Sequence, residues 1–191
     1  NMPKDNISRA IKKASDKDGE SYQEVFYEGY GPAGIALFVE ATTDNINRTV
    51  ANVRSLFSKG GGNLGTNGSL EFIFDRKGVF TIPLSVLEEM NMDEFEMELI
   101  DGGAEEFEKE EDVLTVYTSF EDFGNLQKKL EELNIEPESQ ELQRIPKSTQ
   151  AVDIEDGHKI LNLIEKFEED DDVNVVYHNM EMTDELVETM E

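Results

Sequence analysis

The stretch that most limits how this chain can fold is one that cannot fold alone. After Gln150, residues 154–168 repeat apolar side chains at helical spacing, with Ile160, Leu161, Ile164 and Phe167 needing a cover, and residues 173–177 (Val-Asn-Val-Val-Tyr) read as one strand. A single helix and a single strand cannot close a core of their own. They must return to a sheet laid down earlier, which makes the intervening chain an insertion.

That intervening chain has its own order. Residues 78–82 are strand-like, 93–101 form a short helix stopped by Gly102-Gly103, 105–109 and 113–119 are strands, 120–134 is a helix carrying Phe123, Leu126, Leu130 and Leu133, and 139–145 is a closing strand. The order βαββαβ is that of a ferredoxin-like module. In this topology the first and last strands are antiparallel neighbours, and Ile82-Pro83 and Ile145-Pro146 mark where the chain enters and leaves. The expected fold is therefore α+β, with two α/β-sandwich-like domains: residues 21–82 with 147–191 form a discontinuous first domain, and 83–146 form the inserted second.

Upstream, residues 3–14 read as a helix with Pro3 in its first turn, residues 1–20 serving as a linker or helix. Residues 21–30 and 34–41 form a hairpin across Gly31-Pro32-Ala33-Gly34. Asp44 is placed to cap a helix ending at Lys59, whose apolar stripe is Ile46, Val50, Val53 and Phe57. Residues 69–74 return as a strand, and 183–191 form a short terminal helix.

Charge divides the 191 residues unequally. Residues 1–78 hold 10 Lys/Arg and 10 Asp/Glu, whereas 79–191 hold 7 and 34, so the net charge of -27 lies wholly in the second part. Exposed charges more than about 8 Å apart are largely screened at physiological salt, so a local basic face in the first part can still act. No cysteine is present, which removes disulfides, thiolate catalysis and Cys-based zinc sites and fits a reducing compartment. No apolar run approaches the roughly 18 residues of a membrane span, and nothing resembles a signal peptide. A cytoplasmic protein without membrane contact is expected. The chain opens on Asn1 rather than an initiator methionine, so an upstream segment is expected to precede it.

Catalytic and cofactor patterns fail on inspection. Gly60, Gly62 and Gly65 satisfy G-x-G-x-x-G, but a helix precedes the glycines and a strand follows, the reverse of a dinucleotide site; the loop also lacks a P-loop lysine. His158 and His178 have no triad spacing around them. Asp170-Asp171-Asp172 lacks the alternation of a calcium loop and reads as a solvated acidic turn, and the acidic run 105–112 reads as an exposed face. No enzyme, no metal and no cofactor is expected.

The constructive signal is the helix ending at Lys59. Arg48, Asn52, Ser55 and Lys59 fall within about 60° of one another at 100° per residue, with no acidic residue between them. Arg and Lys neutralise phosphate while Asn and Ser donate to its oxygens, so this is a candidate nucleic-acid face, to which Asn45, Asn47, Arg54 and Asn63 are added. Lys4, Arg9, Lys12, Lys13 and Lys17 form a second basic segment. The same pattern also fits an ordinary amphipathic helix with a solvated cationic face.

Several blocks, Glu28-Gly29-Tyr30-Gly31-Pro32, Thr43-Asp44-Asn45, Asn47-Arg48-Thr49-Val50, Gly61-Gly62-Asn63-Leu64-Gly65-Thr66 and the opening Met2-Pro3-Lys4-Asp5-Asn6-Ile7, together resemble the YebC/PmpR family of bacterial gene-expression regulators. The resemblance covers nearly the whole chain from Met2. It implies an inserted ferredoxin-like domain, and an N-terminal helical domain, opening near a Gly-His-Ser-Lys-Trp motif, that this sequence does not contain. It implies no catalytic residue. Family members are described as DNA-binding transcriptional regulators, and relatives, including a mitochondrial translational activator of cytochrome oxidase, act with the ribosome. Three readings follow. One is a DNA-binding transcriptional regulator, another a ribosome-associated translation factor contacting ribosomal RNA, either with its acidic insertion facing a basic protein. The third is a protein-interaction module, binding through the cleft between its domains, that never touches nucleic acid.

Overall fold

The first hairpin is built around a continuous apolar run, Ala36-Leu37-Phe38-Val39, whose two faces are both buried. In the computed structural model, which describes residues 21–190, β1 (Gln23–Tyr30) pairs antiparallel with β2 (Ala36–Thr43), Gln23 opposite Thr43 and Tyr30 opposite Ala36. Their connection is a single 3₁₀ turn, Pro32–Gly34, in which Ala33 takes φ 58° and Gly34 takes φ 74°. Pro32 presets the turn, but Ala33 holds a left-handed conformation that disfavours side chains.

The helix α1 (Ile46–Lys59) follows. Asn45, not Asp44, caps it: its side chain accepts from the Arg48 N–H at 3.0 Å, while Asp44 is turned to the Arg48 guanidinium. The buried stripe is Thr49, Val53 and Phe57, with Val50 packed beside it and Ile46 exposed. The two-residue strand β3 (Asn63–Leu64) then pairs with the end of β1. Of residues 69–74, expected as a strand, 69–73 are instead a succession of turns. The Glu28 carboxylate, itself buried, accepts the Leu70 N–H at 2.8 Å, and the Ser69 and Ile73 N–H groups bond three residues back, so no ladder forms there.

The chain next crosses into a second unit, Asp75–Ile145, before returning at Pro146. This unit contains β4 (Phe74–Pro83), α2 (Met92–Asp101), β5 (Ala104–Lys109), β6 (Val113–Ser119), α3 (Phe123–Glu132) and β7 (Ser139–Pro146). Its sheet order, β5-β6-β4-β7, places the first strand between the third and the fourth, as a ferredoxin-like βαββαβ requires. Phe80, Ile82, Leu114 and Val116 of the sheet bury against Phe95 and Leu99 of α2 and Leu126 and Leu130 of α3. The acidic run on β5 is exposed, as expected. Lys77 holds Glu106 at 3.1 Å and the Tyr117 hydroxyl donates to Glu108 at 2.9 Å.

Back in the first unit, α4 (Ile154–Glu168) is capped by Asp153, β8 (Val173–His178) joins β2, and α5 (Asp184–Glu188) ends the described chain. The sheet order is β3-β1-β2-β8. Leu37, Val39 and Ala41 on one face meet Val53 and Phe57 of α1 and Ile160, Leu163 and Phe167 of α4, the two phenylalanine rings meeting edge-on at 4.9 Å. On the other face Ala36 and Phe38 pack with Leu70 and Phe74. The helix and strand after Gln150 thus find their core on the N-terminal hairpin.

Candidate nucleic-acid interface

The helices α1 and α4 lie side by side in opposite directions. The N-terminal end of α1 meets the loop after α4, and its C-terminal end lies along residues 156–166. The two ends differ in charge, and this revises the cationic face read from the sequence.

At the N-terminal end, Arg48 Nη2 donates to Asp44 at 2.8 Å and to Asp172 at 3.0 Å. These contacts, with the Asp172 hydrogen bond the larger influence, raise the guanidinium further above its already high ordinary pKa. Asp172 is only 5% exposed, so the Asp170-Asp171-Asp172 run is not a solvated turn throughout. The Asp172 carboxylate also accepts from Thr49 Oγ1 at 2.9 Å, Thr49 lies 2.7 Å from Thr43 Oγ1, and the Asp172 carbonyl accepts the Thr42 N–H. Burial, with the Asp172 charge adding to it, pushes the Tyr27 phenol up. The Thr43-Asp44-Asn45 and Arg48-Thr49 blocks therefore build a polar lock between α1 and the loop entering β8, since a buried carboxylate must be paired and hydrogen-bonded. Asn52 is drawn the same way, its Nδ2 lying 3.4 Å from Asp170. Arg48 and Asn52 are thus spent on carboxylates from the C-terminal segment, which corrects the uninterrupted face 48, 52, 55 and 59.

The C-terminal end is different. Lys59 is exposed and lines a cleft of about 560 Å³ with Pro32, Ala33, Gly60, Gly61, Asn162 and Leu163, together with Asp156, Lys159 and Lys166. Lys159 is bonded to Glu155 at 2.8 Å and Asp156 at 3.3 Å, contacts that raise its pKa, whereas among the described residues no carboxylate lies within ion-pair distance of Lys59 or Lys166. Glycine shapes this end. Gly60 packs so that a Cβ would lie 2.6 Å from Leu163, Gly61 takes φ 81°, and a Cβ on Gly62 would lie 2.1 Å from the Tyr30 carbonyl oxygen. Gly61 supplies the left-handed turn after the helix, while Gly60 and Gly62 answer to close packing.

The remaining candidates scatter. Asn47 and Arg54 are exposed, but Arg54 lies about 140° around α1 from Lys59. Ser55 is half-buried, and the Asn45 side chain is occupied as a cap. Asn63 is exposed on β3, opposite Tyr30. Lys4, Arg9, Lys12, Lys13 and Lys17, with the helix expected over residues 3–14, lie outside the described residues. Lys159, Asn162 and Lys166 were missed because no motif marks them; only the antiparallel packing of α4 on α1 brings them to Lys59. Of the histidines, His158 is exposed, and His178 accepts the Met180 N–H at Nδ1. Among the described residues no cluster of His, Asp or Glu could hold a metal ion, and no helix is long and apolar enough to cross a membrane.

An α+β chain in which a ferredoxin-like unit interrupts a unit of four strands and, among the described residues, three α-helices defines the structural class. Residues 22–180 match the family model described as the TACO1/YebC second and third domain. The chain is 52% identical over 180 residues to a "Probable transcriptional regulatory protein" of Porphyromonas gingivalis, covering 94% of this chain and 74% of that one. It is 53% identical over 184 residues to a protein of the same name from Cytophaga hutchinsonii, covering 96% and 76%. A crystal structure of a conserved hypothetical protein from Aquifex aeolicus superposes with a TM-score of 0.76 at 40% identity, covering 97% of this chain and 76% of that one. The chain belongs to the TACO1/YebC family, as the glycine- and asparagine-punctuated blocks led us to expect.

Proposed function

We propose that this protein is a non-enzymatic regulator of gene expression that acts in the cytoplasm by contacting DNA through the sugar–phosphate backbone, using the C-terminal end of α1 and the adjoining face of α4. The observation that carries this reading is the placement of Lys59 and Lys166, two lysines without a carboxylate partner among the described residues, on one cleft of a chain that holds 44 acidic residues. An ammonium left uncompensated against such a background is available to an external anion, and backbone contact needs no base-reading helix. The names carried by the relatives, transcriptional regulatory proteins, support the same class.

The test is the salt dependence of binding to a labelled DNA duplex, measured by fluorescence anisotropy with the full chain. Lys59→Glu with Lys166→Glu should weaken binding and flatten the slope of log K against log salt by about 0.9 per lost phosphate contact. A slope identical to that of the unaltered protein contradicts the proposal, as does the absence of duplex binding at low salt.

A further inference from the structure

The cleft at the end of α1 has features that a merely cationic surface does not need. We propose that it is a phosphate pocket that receives one phosphate group at a time, with Lys59 and Lys166 supplying charge, the Asn162 amide donating to an oxygen, and the Pro32–Ala33 turn forming a wall; the inference rests on the nucleic-acid reading above and deepens it. Its volume of about 560 Å³ lies within the roughly 300–1,000 Å³ of clefts that hold small ligands, enough for a phosphate with its attached sugar.

Three observations converge on this cleft. The first is the charge imbalance. Of the three lysines that line it, Lys159 is shared between Glu155 and Asp156. Lys59, Lys159 and Lys166 set against those two carboxylates leave one net positive charge, carried on the two lysines that have no carboxylate partner among the described residues. The second is the wall. Ala33 sits at φ 58°, a left-handed conformation disfavoured for an L-residue, and the turn is held in place by the Gln150 side chain, which donates to the Ala33 carbonyl at 3.0 Å. Backbone held out of its preferred region by surrounding contacts is common at ligand sites. The third is the floor: Gly60 and Gly61 carry no side chain to fill the cleft, and Leu163 closes its base against Gly60. Lys59 and Lys166 also occupy the last turns of their helices, where a cation offsets the negative end of the helix dipole. That role explains their position, but not the presence between them of a cleft with an amide donor.

The same chemistry is offered by a phosphate within a nucleic-acid strand and by a free phosphorylated compound, and the experiment separates them. The full chain is titrated with a labelled oligonucleotide, with pyrophosphate or with sodium chloride at matched ionic strength as competitor, and separately with pyrophosphate alone by calorimetry. Pyrophosphate is expected to displace the oligonucleotide several-fold more effectively than chloride. Asn162→Asp, which leaves both helix-end lysines in place, is expected to abolish that advantage without lowering the melting temperature. Glu155→Gln with Asp156→Asn releases Lys159 and is expected to tighten pyrophosphate binding.

Oligonucleotide binding that pyrophosphate and chloride suppress equally overturns the pocket and leaves the backbone-contact reading standing. Pyrophosphate binding without any oligonucleotide binding supports the pocket, assigns it to a free phosphorylated compound and overturns the nucleic-acid reading. Unchanged pyrophosphate affinity in both variants overturns the pocket outright.

Discussion

Arg48 of α1 and Asp172 of the loop before β8, 124 residues apart in sequence, meet at 3.0 Å, with the carboxylate buried and the guanidinium about half exposed. The pair is asymmetric. Asp172 also serves Thr49 and Thr43, whose hydroxyls are buried, while Arg48 retains Asp44 and solvent. Replacing Asp172 with alanine removes the acceptor for two buried hydroxyls and should cost about 2–4 kcal/mol. Arg48→Ala leaves the Asp172 carboxylate buried without its counter-charge and should cost a comparable amount. Equilibrium urea denaturation of the two variants checks both losses, and a near-neutral effect of either would contradict the lock.

Glycines of identical chemistry should respond oppositely. Gly62→Ala drives a methyl into the Tyr30 carbonyl oxygen, a backbone atom that cannot move aside cheaply, and should destabilise by about 2–3 kcal/mol or more. Gly124, in the first turn of α3, has nothing within 4 Å of where an added methyl would sit, so Gly124→Ala should stabilise by about 0.5–1 kcal/mol. Thermal melts of the two variants read both signs.

Acid should weaken the first unit through His178. Burial lowers its pKa from the ordinary 6.5, so the folded form binds fewer protons than the unfolded chain as pH falls below that value. Stability that is fully present above about pH 6.5 is therefore lost as pH drops toward the lowered folded value. Melting temperature should decline over that window, and His178→Gln should remove this contribution.

Alkali should act on the second unit through Tyr117. Burial first, then the hydrogen bond to Glu108 and the charges of Glu108, Glu106 and Glu110, push its pKa up to about 12. The unfolded chain loses this proton near pH 10 while the folded form keeps it, so stability falls between about pH 10 and 12. In a spectrophotometric titration of the phenols, Tyr117→Phe should delete a late-ionising component.

The parts of this molecule that were legible in its sequence are those set by local repetition. The βαββαβ order followed from apolar residues at strand and helix spacing, and the return of α4 and β8 followed from their inability to form a core alone. Residues 70–74 carry the strand pattern Leu-Glu-Phe-Ile-Phe, yet all but Phe74 fold as turns, because the buried Glu28 carboxylate takes the Leu70 N–H out of any ladder. Asp172 read as one of three solvated aspartates, since its burial depends on Thr43, Arg48 and Thr49, more than 120 residues away. The helical wheel of α1 correctly aligned Arg48 with Lys59, but it could not show that carboxylates would meet one end of that row and lysines the other.

If Lys59 and not Arg48 is the working cation of α1, the two residues must differ in what their loss does to the salt dependence of binding. The most direct measurement is the salt slope of duplex binding for Arg48→Gln and Lys59→Gln side by side. Lys59→Gln should lose up to about 0.9 from the slope, while Arg48→Gln should keep the slope and lower the melting temperature. A slope lost with Arg48→Gln and retained with Lys59→Gln would contradict it.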